Sequence, residues 1–422
     1  MKVLIYSHAF APHAGGIETV VMSLARGLAE ETGTPDDMAV TVVTQTSRQD
    51  FDDSSLPFQV VRQPGFLRLA RQIWTADVVH LAGPCLIPML LGFLFRKPVV
   101  VEHHGFQTIC PNGQLLYEPT QTPCPGHFMA ARHGACIRCN AGAGLLRSFG
   151  LWALTFPRRW LCGRALVNIA PTNWLRGLLC LPRTTTVHHG VPAQVCRAST
   201  ASPADPARFA FVGRLVSAKG VETLLQAARR LREQGRDFRL CIIGDGAERR
   251  KLEEQAKVWQ LEDSVEFPGY LPPEQLEARL SQAATVVMPS LAGEVFGMVA
   301  LENMARGKLL LVSDIGAMRE VVGNTGLCFA PGDAEGLTRG LHEVLDTPNL
   351  AMKLGEDARR RAAQEFSTRR MIAGHRNLYR LASNRTAASG SAALAGNFGM
   401  TPGEPGAVMA TPTANIERRA NP

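Results

Sequence analysis

Acidic residues nearly vanish from one long stretch of this chain. From Leu56 to Arg183 three remain (Asp77, Glu102 and Glu118) against thirteen Lys or Arg, a surplus of ten, whereas Met1 to Phe51 carries an acidic excess. The net charge of +8 is therefore concentrated on the amino-terminal half. No nucleic-acid-binding motif accompanies it, which excludes nucleic acid as the partner. An uninterrupted apolar span is also lacking. The run Leu81 to Phe95 is broken by two prolines and falls short of the roughly 18 to 20 residues a bilayer requires, so a buried helix is expected there. The amino terminus, MKVLIYSHAF, enters a strand-like run without a cleavable signal pattern, and a cytoplasmic location is expected. No Asp-x-Asp motif lies near a strand end. Gly244-Asp245-Gly246 begins a dinucleotide fingerprint that fails at Arg249, where its third glycine would stand.

What is present is enough for two cores. A chain of 422 residues exceeds one ordinary domain, and 45% hydrophobic residues can fill a pair. The amino-terminal half alternates strand and helix signals: KVLIYSH, a Gly-rich turn at Ala14 to Gly16, ETVVMSLARGLAEE, then VTVVTQ, FQVVRQ, DVVHLAG, VVVEHH and LVNIAPTN. Such alternation predicts a parallel sheet covered by helices. Residues 1–192 form the first domain, with an insertion at 106–145. Residues 193–208 gain Pro, Ser and Ala, lose periodicity and read as a linker. A second alternating domain covers 209–366, a helix is expected at 367–382, and 383–422 has little to bury and is expected to be disordered.

The segment PSLAGEVFGMVALENMARG, Pro289 to Gly307, places Glu294 and Glu302 eight residues apart around a glycine turn. The run VVMPS predicts a buried strand, and the apolar pattern from Met298 to Ala305 a helix ending at Gly307. With Glu294 in the loop and Glu302 one turn inside the helix, both acids can face one ligand at the helix N-terminus, where phosphate is favoured. RFAFVGRLVSAKGVETLLQAARRL supplies cations: Arg214 ends a strand and Lys219 precedes a helix from Val221, where a diphosphate would rest on helix-terminal N–H groups. The amides of Phe296, Gly297 and Met298 are further donors, and Gly15 and Gly16, between the first strand and first helix, stand where a phosphate loop belongs. His104, in VVVEHHGFQ, lies at the carboxyl end of a strong strand, where open α/β sheets bind ligands. Strand alternation separates it from His103 and puts Glu102 on its face, where Glu102 could orient it. His13, His188 and His189 have no argument beyond proximity to loops and are expected to be structural.

The combination GRLVSAKG with PS-x3-E-x-FG-x4-E-x-MA-x-G about eighty residues later, joined by IIGDGAERRKLE and FPGYLPPEQLEARLSQAATVVMPS, resembles family 4 retaining glycosyltransferases of the GT-B fold. The resemblance covers roughly residues 1 to 383. It implies an α/β architecture of two Rossmann-like doubly wound domains facing across a cleft, with helix 367–382 crossing back onto the first. It implies that Glu302 binds the ribose hydroxyls of a nucleotide-sugar donor, that Glu294 and His104 contact the donor sugar, and that the loop at Tyr270 and Leu271 borders the base. Arg214, Lys219, Glu294 and His104 are the expected catalytic set. The favoured route is front-face, with the departing diphosphate oxygen taking the acceptor's proton, so that neither a dedicated base nor a catalytic metal is needed.

Two stretches point to further partners. LLRSFGLWALTFPRRWLCGRA, 145–165, interleaves Trp, Phe and Leu with Arg, as an interfacial helix on an anionic membrane would, or as an ordinary helix with a solvated basic face. Cys110, Cys124, Cys136 and Cys139 are spaced C-x13-C-x11-C-x2-C. The closing C-x2-C is a ligand knuckle, so these four are candidates for a structural zinc, with His127 and His133 as substitutes and free thiols as the alternative. Following His104, the insertion is expected to shape the acceptor side of the cleft. The resulting expectation is transfer of a sugar from a nucleotide diphosphate sugar, expected to be UDP-linked, to a polysaccharide or lipid-linked acceptor at the inner membrane face. A nucleotide-sugar 2-epimerase of the same fold and a non-catalytic partner in a polysaccharide assembly complex are the alternatives.

Overall fold

The computed structural model describes residues 1–12, 15–30, 37–191, 195 and 205–388. The chain begins with β1 (Lys2–Ser7), α1 (Gly16–Glu30), β2 (Ala39–Thr44), β3 (Gln59–Arg62), α2 (Phe66–Thr75), β4 (Val78–Ala82), α3 (Leu86–Leu94) and β5 (Val99–Glu102). The insertion holds a small hairpin, β6 (Leu116–Tyr117) and β7 (Thr122–Pro123), and α4 (His133–Cys139). Then follow α5 (Leu145–Cys162), β8 (Val167–Ala170), α6 (Asn173–Leu179) and β9 (Thr184–Thr186). Seven parallel strands lie in the order β3-β2-β1-β4-β5-β8-β9. Their runs of Val and Ile are buried along nearly their whole length, as a sheet covered on both faces requires.

The second half repeats the plan with β10 (Asp205–Val212), α7 (Val221–Glu233), β11 (Arg239–Ile243), α8 (Arg249–Val258), β12 (Val265–Gly269), α9 (Pro273–Gln282), β13 (Ala283–Met288), α10 (Met298–Ala305), β14 (Leu309–Ser313), α11 (Gly316–Val322) and β15 (Leu327–Phe329). Its six strands run β12-β11-β10-β13-β14-β15. In both sheets the strand order reverses beside the first strand, and such switch points open crevices at the carboxyl ends of the strands. Helices α12 (Ala334–Asp346), α13 (Pro348–Glu365) and α14 (Thr368–Ala388) close the chain.

Helix α14 crosses back as expected: Met371, Ile372 and Tyr379 are buried in the core of the first half, and Gly27 of α1 gives Ile372 its room. Four boundaries differ from the sequence reading. The strand β10 begins at Asp205, inside the expected linker, because it pairs with β13 from that residue. Helix α14 continues to Ala388, beyond the expected end at 382. Leu81 and Ala82 finish strand β4, and α3 starts only at Leu86, burying Met89 and Leu91 while Ile87, Leu90 and Leu94 are exposed, so this apolar run is mostly a half-buried helix. Ala14, most of the linker and 389–422 lie outside the described residues.

Both crossings between the halves meet at one seam. Val191 N donates to Phe366 O at 2.9 Å, and a side chain on Gly190 would strike the backbone of Ser367 and Thr368. A second tie lies at α6: both carboxylate oxygens of Glu320 accept from its first turn, from Asn173 N and Trp174 N at 2.8 Å each. Thr172, which caps α6 through Leu175 N, also donates its hydroxyl to Val295 O at 3.1 Å.

Candidate active site

The glycines of the second half fix where its cations stand. After β10, a single 3-10 turn (Ser217–Lys219) ends at Gly220, which has φ +63°. A Cβ there would run into the carbonyl oxygen of Pro289, so only glycine lets the start of α7 lie against the end of β13. Leu291 N bonds Ala218 O at 2.8 Å and locks the two loops together. This brings Lys219 into an ion pair with Glu294, whose Oε1 also accepts from Ser290 Oγ at 3.1 Å. Glu294 is buried and Lys219 partly exposed. Arg214 is exposed, with its guanidinium in no ion pair among the described residues.

Helix α10 starts at Gly297, φ +91°, so the amides of its first turn open toward the interdomain gap. Across that gap stands the N-terminus of α1: a Cβ on Gly16 would lie 3.5 Å from Met298 Cγ. Met298 packs on the cores of both halves. Two helix N-termini therefore face one space from opposite domains, beside Lys219 and Glu294. Phe296 is buried, its ring centroid 5.0 Å from that of His189 and 5.6 Å from that of Phe366. Only its backbone remains for a ligand. Glu302 sits on the second turn of α10, and burial raises its carboxyl above the ordinary range. Tyr270, 68% exposed, and Leu271 follow β12 on the rim. A cavity of about 300 Å³ lined by Arg208, Arg239, Asp263 and Arg279 lies at the opposite, amino-terminal ends of β10 to β13 and is not part of this arrangement.

From the first half, β5 delivers Glu102, His103 and His104 to the same side. His103 faces away as strand alternation predicts: its Nε2 donates to Asn168 Oδ1 at 3.0 Å, while the Asn168 amide donates to the carbonyls of Cys162 and Pro182. Burial lowers its pKa to about 4, so the ring is neutral. His104 turns to Glu102, Nε2 to Oε2 3.4 Å. His189, expected to be structural and without function, stacks on His104 with ring centroids 5.1 Å apart and faces Glu102 Oε1 at 3.5 Å. Burial would raise the Glu102 carboxyl, but the charges of His104 and His375 outweigh it and hold the group well below the carboxylate range.

Comparison with known proteins finds relatives for part of the chain and solved structures of the same fold. Residues 194–361 match the family Glycosyl transferases group 1. The chain is 35% identical over 189 residues to the glycogen synthase of Mycobacterium tuberculosis, 44% of this chain and 45% of that protein. The match thus spans less than half of that relative. Over nearly the full length, the structure superposes on sucrose-phosphate synthase from Thermosynechococcus elongatus with a TM-score of 0.69 and 22% identity, covering 92% of this chain and 99% of that one. The Anabaena protein HepE, solved with UDP and glucose, gives a TM-score of 0.67 at 17% identity, with 90% and 100% covered. The fold is GT-B.

The insertion leans on the second half. Leu116 is buried against Ala218 and Ala292, the neighbours of Lys219 and Glu294 along the chain. Behind it, Cys110, Cys124, Cys136 and Cys139 line a cavity of about 10 Å³ with His127 and Tyr117. Cys139 Sγ accepts from Glu118 N at 3.4 Å and from Asn112 Nδ2 at 3.6 Å. Burial pushes the thiol of Cys110 up to about 11 and that of Cys136 to about 12. His133 instead packs among Phe128, Trp152 and Phe156. No described helix is long and apolar enough to cross a membrane.

Proposed function

We propose that this chain is a retaining glycosyltransferase that moves a sugar from a nucleotide diphosphate sugar, UDP-linked, to a polysaccharide or lipid-linked acceptor. The observation that carries the reading is the meeting of two helix N-termini from opposite domains beside the Lys219–Glu294 pair. Amide groups and Lys219 hold the diphosphate, and Arg214 swings its free guanidinium onto it. The phosphate competes with Glu294 for Lys219 and frees that carboxylate for the sugar hydroxyls. Glu302 takes the ribose hydroxyls, and His104 lines the sugar from the first domain. The bond from the anomeric carbon to the diphosphate oxygen then breaks, the acceptor oxygen bonds the same face, and its proton passes to the departing diphosphate. The nucleotide diphosphate leaves.

Counting free UDP with and without acceptor tests this. Acceptor-dependent release supports transfer; an interconverted donor sugar without net release makes the protein an epimerase. Binding with neither release nor interconversion leaves a non-catalytic partner.

The acceptor side is docked on an anionic membrane. Helices α2, α3 and α5 lie side by side, exposing Leu67 (82%), Trp74, Leu94, Leu146 (92%), Phe149 and Trp160 among Arg68, Arg71, Arg96 and Arg147. Apolar side chains ringed by arginines suit a surface of anionic lipid. Vesicle flotation with and without anionic lipid, on the protein and on Leu146→Ser with Phe149→Ser, should show binding lost in both controls. The four cysteines hold a structural zinc, whose binding displaces the protons that burial otherwise favours. Cys136→Ser should lose it.

A further inference from the structure

Glu102, which faces His104 on one side, also belongs to a buried constellation whose two other members, His80 and His375, have no part in the transfer reaction. His80 on β4, Glu102 on β5 and His375 on α14 are all fully buried. His80 Nε2 stands 3.2 Å and His375 Nε2 3.5 Å from Glu102 Oε2, and these three ligand atoms lie within 4.8 Å of one another. None of the three makes a hydrogen bond here, although each is shut off from solvent. We infer that His80, Glu102 and His375 form a binding site for a zinc-class divalent cation that clamps α14 onto the first sheet.

Three physical arguments lead there. A carboxylate shut in a core costs several kcal/mol unless a cation compensates it. Charge-assisted hydrogen bonds shorten to about 2.7 to 2.9 Å, whereas the separations here are longer and poorly aimed. Two ligands about 2.0 to 2.1 Å from a tetrahedral ion stand about 3.3 to 3.4 Å apart, and the two histidine-to-carboxylate separations, 3.2 and 3.5 Å, bracket that value. The outer nitrogens complete the pattern of metal-bound imidazole, whose other nitrogen is held by a carbonyl or similar group. His375 Nδ1 donates to Met371 O at 2.9 Å, which leaves Nε2 as the inward ligand, and His80 Nδ1 bonds the Tyr379 hydroxyl at 2.9 Å. Two imidazoles and one carboxylate are the donor set of zinc rather than of calcium or magnesium.

The clamp joins residues far apart in sequence and lies next to the seam between the halves. Glu102 also faces His104 and His189, a second triad that shares its carboxylate. The outer bonds of His80 and His375 single out the first triad.

The test uses the full chain, zinc alone, and a readout independent of sugar transfer. After stripping, reloading with zinc and dialysis, elemental analysis should find about one equivalent that disappears in His80→Gln and in His375→Gln. X-ray absorption should show this equivalent with a nitrogen and oxygen shell, distinct from any sulfur-bound zinc in the cysteine cavity. Zinc should raise the Tm of the parent and not of the two variants, with circular dichroism confirming that the variants fold. His189→Gln should keep the metal. Retention of nitrogen-coordinated zinc by both variants, its loss only in His189→Gln, or no such zinc in the parent overturns the assignment.

Discussion

The ring of His189 stacks on that of His104, centroids 5.1 Å apart and planes 16° apart. A residue at the seam between domains thereby walls the histidine proposed to face the donor sugar. His189→Ala removes the wall and lets His104 leave its orientation. Transfer kcat/KM should fall on the order of 10-fold, and His189→Phe, which keeps a flat ring, should recover most of it. Equal kinetics for all three would remove His189 from the site.

On the proposed reading Lys219→Ala takes away the cation beside the leaving group. Turnover should drop about 10²-fold or more, and Tm should fall modestly because Glu294 loses its partner. Donor kinetics unchanged from the parent would exclude the lysine from diphosphate stabilisation.

Glu302 gives a pH signature. Its raised pKa means that the free protein holds the proton more tightly than an unfolded chain does. The associated stability is present below the unfolded value and is lost as pH rises through the folded one. On the proposed reading ribose hydroxyls bind the ionised carboxylate, so UDP affinity should increase with pH through that raised value and then level off. Glu302→Gln should bind UDP more weakly and lose this component, as calorimetry across the pH range would show. Identical pH profiles would contradict the ribose role.

Gly220 and Gly235 share left-handed backbone, φ +63° and +69°, but only Gly220 abuts another chain segment. Gly235→Ala should cost about 1 kcal/mol from conformation alone. Gly220→Ala adds the collision with Pro289 and should cost clearly more, read as the gap between the two melting temperatures. Matching Tm losses would mean that the close approach of α7 and β13 is not tight.

Helix α10 was legible to the residue, Met298–Ala305, because glycines bracket a helical apolar pattern. The pairing of Lys219 with Glu294 was legible as a shared ligand site but not as an ion pair, since 75 residues separate them and only folding brings them together. His80 and His375 gave no signal at all. His80 is one polar residue inside an apolar strand and His375 one among several on a polar-rich helix, and what marks them is convergence on Glu102 in three dimensions. Glu320 was equally silent, an exposed-looking acid on α11 whose task is to cap a helix of the other half. The thirteen cations of the acid-poor stretch proved more telling than their total, because the helices that carry several of them also expose the apolar side chains.

The doubled crossing at Val191 and Phe366 behaves like a door hung along one edge. Travel is least beside the axle, so the aromatic neighbours there, His188 against Phe366 with centroids 5.2 Å apart, can stay in contact through a swing that parts the far loops.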